Sequence, residues 1–252
     1  MADIAIIGGT GLTNMQGLTI TSREMVKTPY GSPSGPVTNG MLFGKEVTFL
    51  ARHGHNHMIP PHKINYRANL WALHSIGVKR IFAIGAVGGI SPDCKPTSIV
   101  IPDQIIDYSY GREHTFYDCN SDNLEHIGFS YPYSEKLRQA LIEGAKQTDV
   151  ALVETGTYGI TQGPRLETAA EIKRMARDGC TIVGMTGMPE AALARELGLE
   201  YAVLTMVVNW AAGLEAQEID FNEVQGFIEK GAEEVRKVLQ STFANWNNRA
   251  RD

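Results

Sequence analysis

Thr161-Gln-Gly-Pro-Arg-Leu-Glu-Thr168, Val183-Gly-Met-Thr-Gly-Met-Pro-Glu190 and Val203-Leu-Thr-Met-Val-Val-Asn209-Trp-Ala-Ala-Gly213 follow one another, separated by segments of helical pattern. Thr168 and Glu171 form a T-x-x-E capping box, which predicts a helix start. Ile172, Met175 and Ala176 give that helix an apolar face, and Gly179 stops it. Residues 182–185 are short and apolar, as a buried strand should be. Pro189 suits the first turn of a second helix, which Gly198 closes. Residues 201–208 make another buried strand that ends on Asn209. Strand, helix and strand in this order predict a parallel sheet covered by helices, and ligands of such sheets gather at the strand carboxyl ends. Taken singly, Thr186 is a helix cap and Asn209 a strand-end turn residue. Grouped with Glu167 at neighbouring strand ends, they become candidates for one small-molecule site.

The same pattern extends towards the N-terminus. Residues 4–7 are an apolar strand followed by Gly8-Gly-Thr-Gly11, where backbone N–H groups and the Thr10 hydroxyl can meet an anion. The dinucleotide fingerprint G-x-G-x-x-G is absent, because Thr13 and Asn14 interrupt it. Residues 30–40 form a turn-rich connection, and 46–51 a strand that leads into Arg52-His-Gly-His-Asn-His57. Alternation of His53, His55 and His57 raises a zinc site, but Gly54 and nearby prolines argue for a loop, and no Cys or carboxylate joins the cluster. Arg52 with His53 fits an oxyanion clamp, the guanidinium supplying a planar fork and the imidazole a further donor. A solvated polar loop is the plain alternative.

A helix is expected over 66–76 and a strand over 78–84, ending in Gly85-Ala-Val-Gly-Gly89. Short strands are expected over 99–101 and 104–106, and a longer one over 153–160. Residues 113–125 are polar and irregular, with His126 just beyond. Ser134 caps a helix with Leu137, Leu141 and Ala145 on one face. Asp220 caps a long amphipathic helix with Phe221, Val224, Ile228, Val235, Val238 and Leu239 on its buried side. The whole predicts a single α/β domain over residues 1–252, with a mixed, mostly parallel central sheet flanked by helices.

Composition narrows the function. The chain has 252 residues, 43% hydrophobic and 20% charged, an ordinary globular balance. A formal net charge of -5 and no long basic run argue against nucleic acid or an anionic membrane as partner. No apolar run approaches a membrane span, and the N-terminus enters a strand without a basic region. Cys94, Cys119 and Cys180 are few and widely spaced, which suits a reducing cytoplasm rather than a disulfide framework.

Six motifs, in order along nearly the whole chain, resemble the trimeric purine nucleoside phosphorylases, with the 5'-methylthioadenosine phosphorylases as nearest branch. They are Gly8-Gly-Thr-Gly11, Leu50-Ala-Arg-His-Gly54, Asn65-Tyr-Arg-Ala-Asn69, Gly163-Pro-Arg-Leu-Glu-Thr168, Gly184-Met-Thr-Gly-Met-Pro-Glu190 and Met206-Val-Val-Asn209. The resemblance implies phosphorolysis of a purine nucleoside, with inorganic phosphate as co-substrate and neither cofactor nor metal. It places Thr10, Arg52, His53, Thr186 and the backbone at Ala86 around phosphate, and Met185 behind the ribose. It sets His57, Phe221 and Val224 around the 5' group, and has His126 serve a neighbouring subunit's site in a homotrimer. Leu166 stands where the family usually stacks an aromatic residue on the base. Asn209, Glu167 and His53 are the expected catalytic residues. Because Arg52 is expected to contact only ligand, Arg52→Ala should weaken phosphate binding without unfolding the chain.

The adenine-reading branch uses a pair of aspartates where this chain has Asn209 and Ala211. Adenine offers donors at its 6-amino group and protonated N7, which two carboxylates match. A 6-oxopurine offers an acceptor at O6, so it needs a donor there. Asn209 can donate to O6 and accept from N7–H, and Glu167 can accept from N1–H, as in the ordinary 6-oxopurine branch. The expected activity is therefore phosphorolysis of 5'-methylthioinosine. Methylthioadenosine, or 6-oxopurine nucleosides in general, are the alternatives within the class, and a non-catalytic nucleoside-binding protein is the alternative outside it. Asn209→Asp with Ala211→Asp should erode the preference by adding two acceptors.

Overall fold

The structure, a computed structural model, describes residues 2–12, 15–117, 124–215 and 219–249. Thr13, Asn14 and Cys119 lie outside the described residues.

Long apolar runs without polar alternation need cover on both faces. The two longest here, β5 (Arg80–Gly89) and β11 (Glu200–Trp210), run parallel to each other at the centre of one sheet. Along its other edge, β5 pairs first with parallel β1 (Ile4–Gly8) and then, at its last residues, with antiparallel β10 (Ile182–Gly184). Outward from β1 come parallel β4 (Lys45–Ala51), then antiparallel β3 (Val37–Leu42) and β2 (Thr19–Glu24). Outward from β10 come β9 (Thr157–Ile160) and β7 (Gln104–Asp107), both parallel. Beyond β11 lie antiparallel β6 (Ile99–Val100) and, parallel to it, β8 (Leu152–Val153). The expected mixed, mostly parallel α/β sheet is what forms.

Alternation along β5 divides the core. Ile81 and Ala83 face one layer, with Leu70 and Leu73 of α1 (Tyr66–Ser75) and Leu193 of α4 (Glu190–Glu196). Phe82 and Ile84 face the other, with Leu137 and Leu141 of α2 (Glu135–Lys146) and Val235, Leu239 and Phe243 of α5 (Phe221–Arg249). α3 (Ala169–Arg177) starts at the predicted capping box. The Thr168 hydroxyl accepts from the Glu171 N–H, and the Glu171 carboxylate accepts from the Thr168 N–H. Ile172 and Met175 are its buried face; Ala176 is exposed, since only these two meet the small cluster around Val183 and Ala211.

Several expectations change. The connection assigned to 30–40 runs into β3, which pairs with β2 at the sheet edge; every β2 residue is exposed, so no apolar alternation marks the hairpin. The strand expected over 153–160 is two strands. Glu154-Thr-Gly156 carries the chain from β8 to β9, and Asp103 accepts from the Gly156 N–H at the crossing. The strand expected over 78–84 runs from Arg80 through the glycine-rich stretch to Gly89, where β11 supplies ladder partners. Phe221, the first residue of α5, is not on its buried face: it is 69% exposed.

Candidate active site

The carboxyl ends of β1, β4, β5 and β11 point the same way, β9 and β10 run against them, and residues at and beyond the ends of these strands enclose a cavity of about 480 Å³. That is room for a nucleoside. Thr10, Arg52, His53, His57, Ala86, Leu166, Glu167, Met185, Thr186, Asn209, Phe221 and Val224 all line it. His126, expected to serve a neighbouring subunit's site, does not line this cavity; it is exposed in the loop before α2. Met58, Ile59, Ile219 and Ile228 extend the apolar wall. Sequence pattern put Ile228 on the buried side of the last helix but gave no sign that it meets Met58, Ile59 and Ile219, which come from segments far apart in the chain.

Arg52 is bound differently from the expectation. Only 2% exposed, it donates through Nε to Glu190 Oε2 at 2.6 Å and through Nη2 to Glu190 Oε1 at 2.7 Å. Its Nη1 donates to the Ile84 carbonyl at 2.9 Å. Burial disfavours the charged guanidinium, but the Glu190 carboxylate outweighs this and raises the pKa. Tyr201 adds a hydroxyl donor to Glu190 Oε1 at 2.8 Å. Arg52 is therefore a structural ion-pair member first. One N–H remains on Nη1 and one on Nη2 for an anion. A Cβ at Gly9 would lie 2.9 Å from Nη1, so the glycine is what lets the loop after β1 approach this group. Glu190 stands in the quoted motif, but its partner lies 138 residues away, beyond any local signal.

The donor expected of His53 is also engaged. Its Nδ1 lies 2.8 Å from the Ile59 carbonyl oxygen, which can only accept. Burial pushes this imidazole down to about 4; the Ile59 bond works against that shift, while Arg52 and His57 reinforce it. His57 meets the Thr10 hydroxyl at 3.0 Å, and its ring centroid is 4.6 Å from that of His53. Gly54, at φ 77, turns the chain between them, so the alternate histidines do not share a strand face. Among the described residues no group of His, Cys, Asp and Glu is placed to hold a metal.

At the other end, the strand pairing slips between Val207 and Asn209. This bulge lets the consecutive residues Val208 and Asn209 both line the cavity. The Asn209 amide nitrogen donates to the Trp210 carbonyl at 2.7 Å, which fixes the amide's orientation. One N–H and the amide oxygen stay available. Gly88 is opposite: a Cβ there would come within 3.3 Å of that nitrogen. Glu167 accepts from the Thr161 hydroxyl, so its Oε1 is held and Oε2 is left for the cavity. Ala211 is 2% exposed, packs with Ile90, Ile172, Met175 and Val183, and is not itself among the cavity-lining residues. An aspartate there would be a buried charge, so the expected gain of an acceptor at Ala211 does not follow from this packing. Arg112, unread in the sequence, ties the polar clusters together by donating to the carbonyls of Thr161, Gln162, Met185 and Met188.

A family model described as "Phosphorylase superfamily" matches residues 3–244. The chain belongs to that superfamily. Among phosphorylases, it is 52% identical over 237 residues to a protein of Xanthomonas campestris pv. campestris named "Probable S-methyl-5'-thioinosine phosphorylase", covering 94% of this chain and 95% of that one. It is 45% identical over 244 residues to the "6-oxopurine nucleoside phosphorylase" of Pyrococcus furiosus, covering 95% and 91%. Among solved phosphorylases, the methylthioadenosine phosphorylase of Schistosoma mansoni in complex with adenine superposes with TM-score 0.92 at 30% identity, over 98% of this chain and 93% of that one. The resemblance read from the six motifs is borne out.

Proposed function

We propose that this protein splits 5'-methylthioinosine with inorganic phosphate, releasing hypoxanthine and 5-methylthioribose 1-phosphate for purine salvage. The observation that carries this reading is the pairing of Glu167 with an amide-oriented Asn209 at one end of a cavity whose other end holds Thr10, Arg52 and Thr186. Cleavage of the C–N bond builds positive charge on the ribose and negative charge on the purine. Bound phosphate faces the sugar and supplies the nucleophile. Asn209 and Glu167 hold the departing base through O6, N7–H and N1–H, and binding energy goes into positioning. No cofactor or metal is needed for these steps.

The 5' end selects by apolarity. Met58, Phe221, Val224 and Ile228 present no charge to that part of the cavity, which suits a thioether better than a hydroxyl. The names of the Xanthomonas and Pyrococcus relatives fit the methylthioinosine reading and the broader 6-oxopurine reading respectively. A phosphorolysis panel of methylthioinosine, methylthioadenosine, inosine and guanosine decides between them. Methylthioinosine is expected to have the highest kcat/KM. A higher value with inosine would shift the assignment to general 6-oxopurine nucleosides, and binding without phosphate-dependent release of base would make the protein a nucleoside binder.

We place the protein in the cytoplasm as a homotrimer with shared sites. No described helix is long and apolar enough to cross a membrane. The large exposure of Phe221 and the exposed His126 loop leave apolar and polar groups that a second subunit would cover. Sedimentation across a dilution series, with activity measured in parallel, tests this. Activity should fall as the trimer dissociates; a fully active monomer sinks the shared site.

A further inference from the structure

Thr10, Arg52 and Thr186 all offer donors to the phosphate end of the cavity, but His53 does not fit that pattern. Its Nδ1 faces the Ile59 carbonyl at 2.8 Å and must carry the ring hydrogen. Ring burial at 6% exposure, with the Arg52 cation and His57 alongside, keeps the imidazole neutral at working pH. A neutral ring protonated at Nδ1 has a bare lone pair on Nε2. Among the described residues, Nε2 has no hydrogen-bond partner, and it is not a buried orphan atom. His53 lines the cavity, so this lone pair is the acceptor among the donors.

We infer that His53 Nε2 accepts a hydrogen bond from the hydroxyl of protonated phosphate, and so selects hydrogen phosphate over sulfate. The inference rests on the phosphorolysis reading. Near neutral pH both forms of inorganic phosphate carry at least one P–OH group. Sulfate has the same shape and a similar charge but no hydrogen to give. In a site made only of donors the two anions would bind alike. Facing an acceptor, sulfate sets oxygen lone pairs against a nitrogen lone pair and leaves it unsatisfied. Hydrogen bonds to charged groups predict a discrimination of roughly tenfold to a hundredfold. Arsenate, which keeps its hydroxyl, should behave like phosphate.

The test is direct anion binding to the full chain by calorimetry, alongside steady-state competition. Phosphate and arsenate should bind within a few-fold of each other, and sulfate at least ~10-fold more weakly. In His53→Gln the side-chain amide can turn its N–H to the anion, so the ratio should contract toward unity. A variant that weakens both anions equally, with the ratio unchanged, would overturn the inference, as would equal binding of sulfate and phosphate by the wild-type protein. Long-range 1H–15N correlation of the wild-type histidines is the check that needs no variant. The His53 ring should show the hydrogen on Nδ1; a hydrogen on Nε2 overturns the inference. Absence of phosphate-dependent cleavage with any nucleoside would instead strike the phosphorolysis reading, while the tautomer and the anion ratio still decide the role of His53.

Discussion

Arg52→Ala is expected to lower the stability of the folded chain by about 3–5 kcal/mol, read as a shift of the denaturant midpoint at unchanged slope. The expectation from sequence alone was a folded protein with weakened phosphate binding. The geometry changes it, because removing the guanidinium strands the Glu190 carboxylate at 0% exposure with the Tyr201 hydroxyl as its remaining side-chain donor. Such a loss is a large part of the ~5–15 kcal/mol that holds a domain together. Glu190→Ala should cost a similar amount, although Glu190 lines no part of the cavity. The pair Arg52→Met with Glu190→Leu removes both charges and keeps the volume, so stability should largely recover, and the two changes should be strongly non-additive. Phosphate binding should not recover. A stable Arg52→Ala protein would show that the ion pair is dispensable, and unchanged phosphate dependence in the double variant would remove Arg52 from the anion site.

This pair also marks how far the sequence could be read. The strand–helix alternation, the Thr168–Glu171 capping box and the helix stops at Gly179 and Gly198 are local, and local rules located them. Thr10, Arg52, Glu167, Thr186 and Asn209 were legible because they lie at or just beyond strand ends, where an α/β sheet puts ligands, whereas Phe221 and Val224 of α5 came from the family resemblance. Legibility failed where a residue's role depends on a distant partner. Arg52 and Glu190 show this, as do Arg112 with its four carbonyls and His53 with Ile59. The hairpin of β2 and β3 was hidden for a different reason: an exposed edge strand has no buried face to impose alternation. Ala211 was read as an absent acceptor at the base, whereas its side chain belongs to the cluster beneath α3.

Base preference is the last and largest expected effect. The wild-type protein should favour methylthioinosine over methylthioadenosine by roughly 10³-fold or more in kcat/KM, since a site built to hydrogen-bond one purine edge rejects the mispaired one by orders of magnitude. Changing Asn209 and Ala211 to aspartate is not the way to reverse this. At Asn209 a carboxylate oxygen would face the Trp210 carbonyl that now accepts from the amide, and at Ala211 it would be buried among Ile90, Ile172 and Met175. Asn209→Asp should therefore lose inosine activity with little gain for adenine, and Ala211→Asp should mainly destabilise the fold. Glu167→Gln is the better switch. The Thr161 hydroxyl donates to Glu167 Oε1, and in the amide it keeps the carbonyl oxygen on that side. The new N–H group then points where Oε2 stood, towards purine N1. Adenine N1 is an acceptor and gains a donor; hypoxanthine N1–H loses its acceptor. The kcat/KM ratio should move towards methylthioadenosine by roughly 10²-fold, and Thr161→Val should blunt the shift by freeing the amide to turn. Equal cleavage of both nucleosides by the wild-type protein would mean that Glu167 and Asn209 do not read the base.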